Sequence, residues 1–271
     1  MKRRYRFERV PSTVFMGRII MKWGGGLISD KSTLCTAELS RIQSLADCVK
    51  SLSHLGHDIV IVHGAGSFGH IRAREFRLNE GEIAGIDQLD AVEQVRRDMD
   101  ELHNLVIDSL DPLQITSHSP RDFVMNTGPD FNGNLNRFLS PGVHITYGDV
   151  VDCDSPKNFG ILSGDDLMLR LSVELPDVTH VIFAMSGAPG LMTAADAFGE
   201  LIPLWDDTTS YSGHHAKDVD VTGGIFLKVE RASTISVHVE QVWLVDGEYP
   251  SRILEIVEKG HTVGTRFSST A

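Results

Sequence analysis

The sequence has few cysteines, no excess of basic residues and no apolar run long enough to span a bilayer. Its 271 residues contain three cysteines and 25 Lys+Arg against 37 Asp+Glu, a formal net charge of −12. Three cysteines without a Cys-x-x-Cys pair are not typical of a disulfide scaffold, and the acidic excess argues against nucleic acid or anionic lipid as a partner. The basic opening at residues 1–11 precedes no apolar segment of the kind that a signal peptide needs. We therefore expect a cytoplasmic protein with reduced thiols and with no nucleic-acid or membrane partner.

The bulk composition indicates a globular protein. Apolar residues make up 41% of the chain, which is more than an intrinsically disordered protein carries. The length suits one large domain or two tightly joined lobes, and no clear linker divides the chain. We expect residues 1–16 to be a tail and residues 17–271 to form a single domain.

Apolar periodicity predicts strands that alternate with helices along the chain. Residues 117–142 break this pattern with Pro, Asn, Gly and Ser, which favours an irregular excursion that faces the substrate. Alternating strands and helices indicate an α/β protein with a mainly parallel sheet covered on both faces. The predicted strands are residues 17–23, 58–62, 143–151, 178–185 and 241–245, with a last extended piece near 264–265; the predicted helices are residues 37–55 and 86–110, others that begin near 163 and 224, and one near 250–257.

Three glycine-rich segments, residues 24–26, 64–69 and 223–224, each lie between a predicted strand or extended piece and a predicted helix. Loops at the carboxyl ends of parallel strands converge on one crevice, where glycine amides and helix N-termini bind phosphate. Lys22, Lys31 and Lys228 accompany these loops. No loop matches the Walker pattern or a complete dinucleotide-binding fingerprint, and the protein-kinase motifs HRD and DFG are absent.

Several segments resemble the isopentenyl phosphate kinases, a branch of the amino acid kinase superfamily. MKWGGGLISDK at residues 21–31 is similar to the family's KxGGSxITDK, and HGAGSFGH at residues 63–70 is similar to its HGGGSFGH. SFGH followed by SGDD separates this branch from acetylglutamate, aspartate and uridylate kinases. The resemblance runs from about residue 17 to the end of the chain, and its other segments, in the family's order, are YGDV at 147–150, ILSGDD at 161–166, DVTGG at 220–224 with Lys228, and GT at 264–265.

The resemblance implies the amino acid kinase fold, a three-layer αβα sandwich around an open, mainly parallel sheet. Residues 17–165 would mainly bind the acceptor and residues 166–271 mainly the nucleotide. The implied reaction moves the γ-phosphoryl group of ATP to isopentenyl phosphate, giving isopentenyl diphosphate. Mg²⁺ would accompany the nucleotide, held largely by phosphate oxygens and water rather than by protein ligands, and the resemblance suggests a homodimer.

The same resemblance assigns roles to individual residues. Lys22 and Lys228 would bridge the β- and γ-phosphates, Asp165 would hold these lysines, and Lys31 would assist at the γ-phosphate. His70 would donate a hydrogen bond to the acceptor phosphate, which is already a nucleophile and needs no base. The nucleotide contacts would be Gly24, Gly25, Gly26, Ser163, Gly164, Gly223 and Gly224; the acceptor contacts would be Gly64, Ala65, Gly66, Gly69, His70 and Gly160.

Some alternatives remain open at this point. The family usually has TDVDG where residues 186–190 read SGAPG, so both aspartates are missing and the nucleotide contacts there differ. The missing aspartates leave open a non-catalytic protein that binds a phosphometabolite. A kinase of the same fold that acts on another small phosphate or phosphonate is a separate alternative. Asp165, or its neighbour Asp166, could instead be the N-cap of the following helix.

Overall fold

One eight-stranded sheet organises the computed structural model, which describes residues 16–193, 199–206 and 224–269. The described strands are β1 Arg18–Trp23, β2 Asp58–His63, β3 Ile115–Ser117, β4 Val124–Met125, β5 Asn132–Gly133, β6 Val143–Tyr147, β7 Asp149–Asp152, β8 Phe159–Leu162, β9 Val178–Met185, β10 Leu204–Trp205, β11 Gln241–Asp246 and β12 Thr265–Phe267. The described α-helices are α1 Gly25–Ile28, α2 Leu39–His54, α3 Gly66–Glu75, α4 Leu89–Ser109, α5 Gly164–Glu174, α6 Gly224–Ser236 and α7 Ser251–Lys259. The expected tail at residues 1–16 lies outside the described residues except for Met16.

The strand order in the sheet is β10-β12-β11-β9-β1-β2-β6-β3. Strands β11, β9, β1, β2, β6 and β3 run parallel to one another, and β12 reverses direction against β11. The carboxyl ends of the parallel strands therefore share one edge of the sheet. The predicted α/β class and mainly parallel sheet are confirmed.

Both faces of the sheet are buried, which makes the strands nearly continuous apolar runs. In β1, Ile19 and Met21 face the layer that contains α2, α3, α4 and α7, while Ile20 faces the layer of α5 and α6. All three side chains are fully buried. The period of two in a strand places Lys22 on the same face as Ile20, toward α5 and α6.

The prediction of a single strand at residues 143–151 is wrong. The segment divides into β6 and β7 at Gly148, and β7 leaves the main sheet to form a hairpin with β8. Gly148 lies so close to the start of α5 that a Cβ atom there would come within 3.0 Å of the Gly164 nitrogen. A side chain here would crowd the start of α5, so glycine permits this close approach at the turn.

The excursion at residues 117–142 is irregular, as predicted. Beyond the last residue of β3 it contains β4, β5 and the 3-10 turns Pro120–Asp122 and Leu135–Phe138. Within the described part of the chain, none of the helices combines the length and the apolarity required to cross a bilayer.

Candidate active site

Two lysine ammonium groups meet on one buried carboxylate at the carboxyl edge of the sheet. Lys22, near the end of β1, places its Nζ 2.6 Å from Oδ1 of Asp165. Lys228, on α6, places its Nζ 3.0 Å from the same oxygen and 3.3 Å from Oδ2. The structure thus brings together three side chains from β1, α5 and α6 that lie far apart in the sequence.

Charge and burial at this cluster favour an anionic ligand. Asp165 is 3% exposed and Lys22 is 7% exposed. Burial alone would raise the pKa of Asp165, but the ammonium groups of Lys22 and Lys228 outweigh it and lower the pKa to about 2. Two positive charges then face one negative charge, so the cluster keeps an excess of positive charge in an otherwise acidic protein.

The N-cap of α5 is Ser163, whose hydroxyl accepts the N–H of Asp165 at 3.1 Å. The alternative that Asp165 or Asp166 caps this helix is therefore wrong. The carboxylate of Asp166 instead accepts a hydrogen bond from Nε of Arg231 at 2.8 Å. This buried pair ties α6 to α5 and so keeps Lys228 beside Asp165.

The first glycine loop, residues 24–26, begins directly after β1. The N–H of Gly24 donates to the carbonyl oxygen of Ala184 at the end of β9, at 2.9 Å. The amide of Gly24 is therefore used within the fold. The stem of Lys31 packs directly over Gly26, where a Cβ atom would overlap its Cε, so Lys31 lies on this loop.

The second glycine loop, residues 64–69, follows β2, and its residues 66–69 form the first turn of α3. His70 lies one turn inside that helix and is partly exposed. The two loops are in contact, because a Cβ atom at Gly64 would lie 2.5 Å from the nitrogen of Gly25 and 3.0 Å from its Cα. Glycine at these positions thus permits the two loops to touch, in addition to leaving amides accessible to a phosphate.

Ser29 joins the two loops, and the sequence offered no signal for this role. Its hydroxyl donates to the carbonyl oxygen of Gly25 at 2.9 Å and accepts the N–H of Ser67 at 2.9 Å. Gly66 adopts the left-handed region with φ of +51° and packs against the same hydroxyl. The distance between the loops is therefore set by direct hydrogen bonds.

We expect Gly64→Ala to impair both stability and turnover. The added methyl group meets the backbone of Gly25, which cannot rotate away as a flexible side chain would. Overpacking of this kind costs about 1–3 kcal/mol of folding free energy. Thermal unfolding and steady-state kinetics measure the two effects, with Gly85→Ala as a control because no atom lies within 4 Å of a Cβ built there. Gly85 has φ of +82°, so its alanine variant reports backbone strain alone; a Gly64→Ala variant with unchanged kinetics would contradict the expectation.

Of the other predicted site residues, Gly164, Gly224 and Gly69 lie at the lysine cluster or at a glycine loop, whereas Gly160 does not. A Cβ atom at Gly164 would lie 3.2 Å from Cε of Lys22, and Gly224 begins α6 with φ of +57°. Gly69 packs against Ala65 inside the second loop. Gly160 is different, because it lies in β8 against Lys157 and Thr127 rather than against either glycine loop. Gly223 lies outside the described residues.

The turn at residues 186–190, which lacks the family's two aspartates, contacts the first loop through a hydroxyl. Ser186 Oγ donates to the carbonyl oxygen of Gly26 at 2.9 Å. Gly190 packs against Thr265, whose Oγ1 accepts the N–H of Leu191 at 2.7 Å and donates to the carbonyl oxygen of Ile202 at 2.6 Å. The terminal Gly-Thr motif therefore holds this turn in place.

No group of three His, Cys, Asp or Glu side chains within residues 16–193, 199–206 and 224–269 is placed to hold a metal ion. Asp165 has its oxygens engaged by two ammonium groups, and Asp166 is paired with Arg231. The arrangement instead offers a lysine pair beside two contacting glycine loops. It can bring two anionic groups together and neutralise their charge, which is what phosphoryl transfer between them requires.

Comparisons with known proteins agree with this chemistry. Residues 17–246 match the model of the amino acid kinase family. A Thermoplasma acidophilum protein named isopentenyl phosphate kinase is 33% identical over 88% of this chain and 95% of the relative. The isopentenyl phosphate kinase of Methanocaldococcus jannaschii is 26% identical over 78% of this chain and 85% of the relative. A crystal structure of an isopentenyl phosphate kinase substrate complex superimposes with a TM-score of 0.76 and 26% identity, covering 93% of this chain and 99% of that one.

Proposed function

Because the chain belongs to the isopentenyl phosphate kinases of the amino acid kinase family, we propose that it transfers the γ-phosphoryl group of ATP to isopentenyl phosphate. The products are isopentenyl diphosphate and ADP. The observation that carries this proposal is the meeting of Lys22 and Lys228 on Asp165, beside two glycine loops that touch each other.

The reaction needs positioning and charge neutralisation more than covalent help. An oxygen of the acceptor phosphate attacks the γ-phosphorus, the bond from that phosphorus to the β-phosphate oxygen breaks, and ADP leaves with the electron pair. Lys22 and Lys228 stabilise the negative charge on the transferring group, and Asp165 holds both ammonium groups in place. The attacking oxygen is already anionic, so no general base is required.

Mg²⁺ fits this site as a companion of ATP rather than as a resident ion. The described carboxylates beside the lysines are already paired with cations, so the ion would be held by phosphate oxygens and water. When bound it would shield the charge of the nucleotide. The chain's own residues then orient the phosphates and neutralise the remaining charge.

We expect His70→Ala to weaken the use of the acceptor far more than that of the nucleotide. His70 lies in the first turns of α3, directly after the second glycine loop. A hydrogen bond to a charged group contributes about 1.5–3 kcal/mol, which corresponds to a rise of roughly 10- to 150-fold in the KM for isopentenyl phosphate. Initial rates with each substrate varied in turn test this; an equal rise in both KM values would show that His70 has no specific role at the acceptor.

The direct test of the proposed function is incubation of the purified protein with Mg·ATP and isopentenyl phosphate. The expected result is isopentenyl diphosphate, formed with one ADP per product. A panel of other small phosphates and phosphonates tests the alternative that the kinase acts on a different acceptor. Calorimetry with each substrate tests the non-catalytic alternative. Binding of isopentenyl phosphate without any binding of ATP would support that alternative.

We further propose that the enzyme acts in the cytoplasm as a homodimer. All three cysteines are free, which suits a reducing compartment, and the family resemblance supports the dimer. Sedimentation at several protein concentrations measures the assembly state. A monomer at the concentrations used for kinetics would overturn the dimer.

A further inference from the structure

A chain of hydrogen bonds, buried except at its Ser117 end, reaches the second glycine loop, and the reaction described above does not use it. His63, the last residue of β2, is fully buried and immediately precedes Gly64. Its Nδ1 lies 3.1 Å from the carbonyl oxygen of Gly64, and its Nε2 lies 3.0 Å from Nδ1 of His103 on α4. Nε2 of His103 lies 2.7 Å from the hydroxyl oxygen of Ser117.

The partners determine where the protons of this chain lie. A carbonyl oxygen only accepts, so Nδ1 of His63 must donate to Gly64 and its Nε2 must accept. His103 then donates from Nδ1 and accepts at Nε2 from the hydroxyl of Ser117. Burial lowers the pKa of His63 to about 3 and that of His103 to about 4, so both rings are neutral near pH 7 and each carries one proton.

The hydrogen bond from His63 Nδ1 to the Gly64 carbonyl oxygen fixes the orientation of the peptide group that joins Gly64 to Ala65. The carbonyl oxygen and the N–H of a planar trans peptide point in opposite directions. Because His63 holds the Gly64 carbonyl on the side of α4, the Ala65 N–H is directed away from α4. A Cβ atom at Gly25 would lie 3.2 Å from the Ala65 nitrogen, so this amide lies at the contact between the two loops.

Ring stacking and mutual polarisation strengthen this chain of hydrogen bonds. The ring of His63 stacks on that of Tyr147, with centroids 5.1 Å apart and planes 12° apart. Aligned hydrogen bonds polarise one another, by about 10–30% per bond. Among the described residues, no protein group accepts the Ala65 N–H, which leaves it for a ligand.

We propose that Ser117, His103 and His63 form a relay that positions the Ala65 amide to bind the acceptor phosphate, with His63 and His103 as positioning residues. This rests on the proposed function, since the acceptor phosphate defines what the amide binds. The relay also links the excursion that begins at Ser117 to the second glycine loop.

The chain offers a matched control in a second buried histidine pair. Nε2 of His118 lies 2.9 Å from Nδ1 of His144, and Nε2 of His144 lies 2.8 Å from the carbonyl oxygen of Ser140. Here the terminal carbonyl requires Nε2–H on His144, and then Nε2–H on His118. The two pairs are similarly buried but have opposite tautomers, and the control pair does not contact the second glycine loop.

The first arm of the test reads the tautomers of the wild-type protein by long-range proton–nitrogen NMR near pH 7. The relay requires Nδ1–H on His63 and His103, whereas His118 and His144 should show Nε2–H. Observation of Nε2–H on either relay histidine would overturn the proposal. This arm needs no variant and no turnover.

The second arm compares kinetics of His103→Leu, His103→Asn and His118→Leu. We expect His103→Leu to raise the KM for isopentenyl phosphate about tenfold and to leave the KM for ATP within about twofold. His103→Asn keeps an N–H near the Nδ1 position and should recover much of the loss, and His118→Leu should lower thermal stability without changing the acceptor KM. Equal acceptor KM values in His103→Leu and His118→Leu would overturn the relay.

The two proposals fail in different ways. Absence of any isopentenyl diphosphate from the wild-type protein would refute the function and not the tautomers. Normal wild-type turnover with an unchanged acceptor KM in His103→Leu would refute the relay alone. If His103→Leu does not fold, Ser117→Ala replaces it, because Ser117 is an exposed residue whose hydrogen bond to His103 is only partly buried, and the expected rise in acceptor KM is then about twofold to threefold.

Discussion

The Lys22→Met variant should lose turnover by a factor of about 10²–10³ while keeping most of its affinity for both substrates. Removing one preorganised donor that stabilises transition-state charge costs this much in other enzymes. Lys22 is 7% exposed and lies 2.6 Å from Asp165, so water cannot replace its charge. Methionine preserves the length and the apolar stem. Single-turnover and steady-state rates separate the chemical step from binding.

Lys259→Met provides the control for this variant. Lys259 is the last residue of α7, a helix that contributes none of the three side chains of the Lys22–Asp165–Lys228 cluster, and its side chain is 54% exposed. Its replacement removes the same charge from the whole molecule. A kcat for Lys22→Met that stays within a few-fold of the Lys259→Met value would contradict the role assigned to Lys22.

Asp165→Asn should destabilise the unliganded protein and disable the enzyme together. The substitution leaves the buried Lys22 ammonium group and the partly buried Lys228 ammonium group without their shared counter-charge. Breaking a buried ion pair in this way costs about 3–5 kcal/mol. ATP supplies the missing negative charge. Thermal unfolding with and without Mg·ATP should therefore show a larger stabilisation by nucleotide in Asp165→Asn than in the wild type, although kcat falls.

Asp166→Asn is the matched control for this prediction. Asp166 is also buried, is adjacent in sequence and pairs with Arg231 rather than with the lysines. Arg231 retains Glu230 at 2.8 Å, so a smaller stability loss is expected, with no added response to nucleotide. The same nucleotide response in both variants would show that Asp165 does not hold the lysines in particular.

The cluster also explains how an acidic protein can bind two anions. A formal charge of −12 repels phosphates at long range, but salt screens exposed charges beyond about 8 Å at physiological ionic strength. Lys22 is buried and Lys228 is partly buried, so their charges are screened much less. Local charge at the sheet edge therefore decides binding, whereas the total charge excludes only partners that contact a large surface.

Long periodic elements were predictable from the sequence because their apolar faces repeat many times. The helix predicted at residues 86–110 is Leu89–Ser109, and the strand predicted at residues 178–185 is Val178–Met185. Short elements were harder to predict from the sequence. The break at Gly148 depends on how closely α5 approaches it, and no local pattern reports a distance to a distant segment.

In the site, too, features with a local sequence motif could be predicted, and features that depend on contacts between distant residues could not. The glycine loops and lysines stand out as motifs, and the family resemblance supplied the roles of Lys22, Lys228 and Asp165. The residues alone left Asp165 open to an N-cap role, which the structure gives to Ser163. His63 lay in a recognised motif without a function, because its partner His103 lies on α4, 40 residues away in the sequence.

The most direct test of the central claim is a crystal structure with isopentenyl phosphate and a non-hydrolysable ATP analogue bound together. The account predicts the ammonium groups of Lys22 and Lys228 within about 3 Å of oxygens of the terminal phosphate, with the acceptor phosphate on the second glycine loop. Phosphates bound elsewhere, with both lysines still engaged only by Asp165, would contradict it.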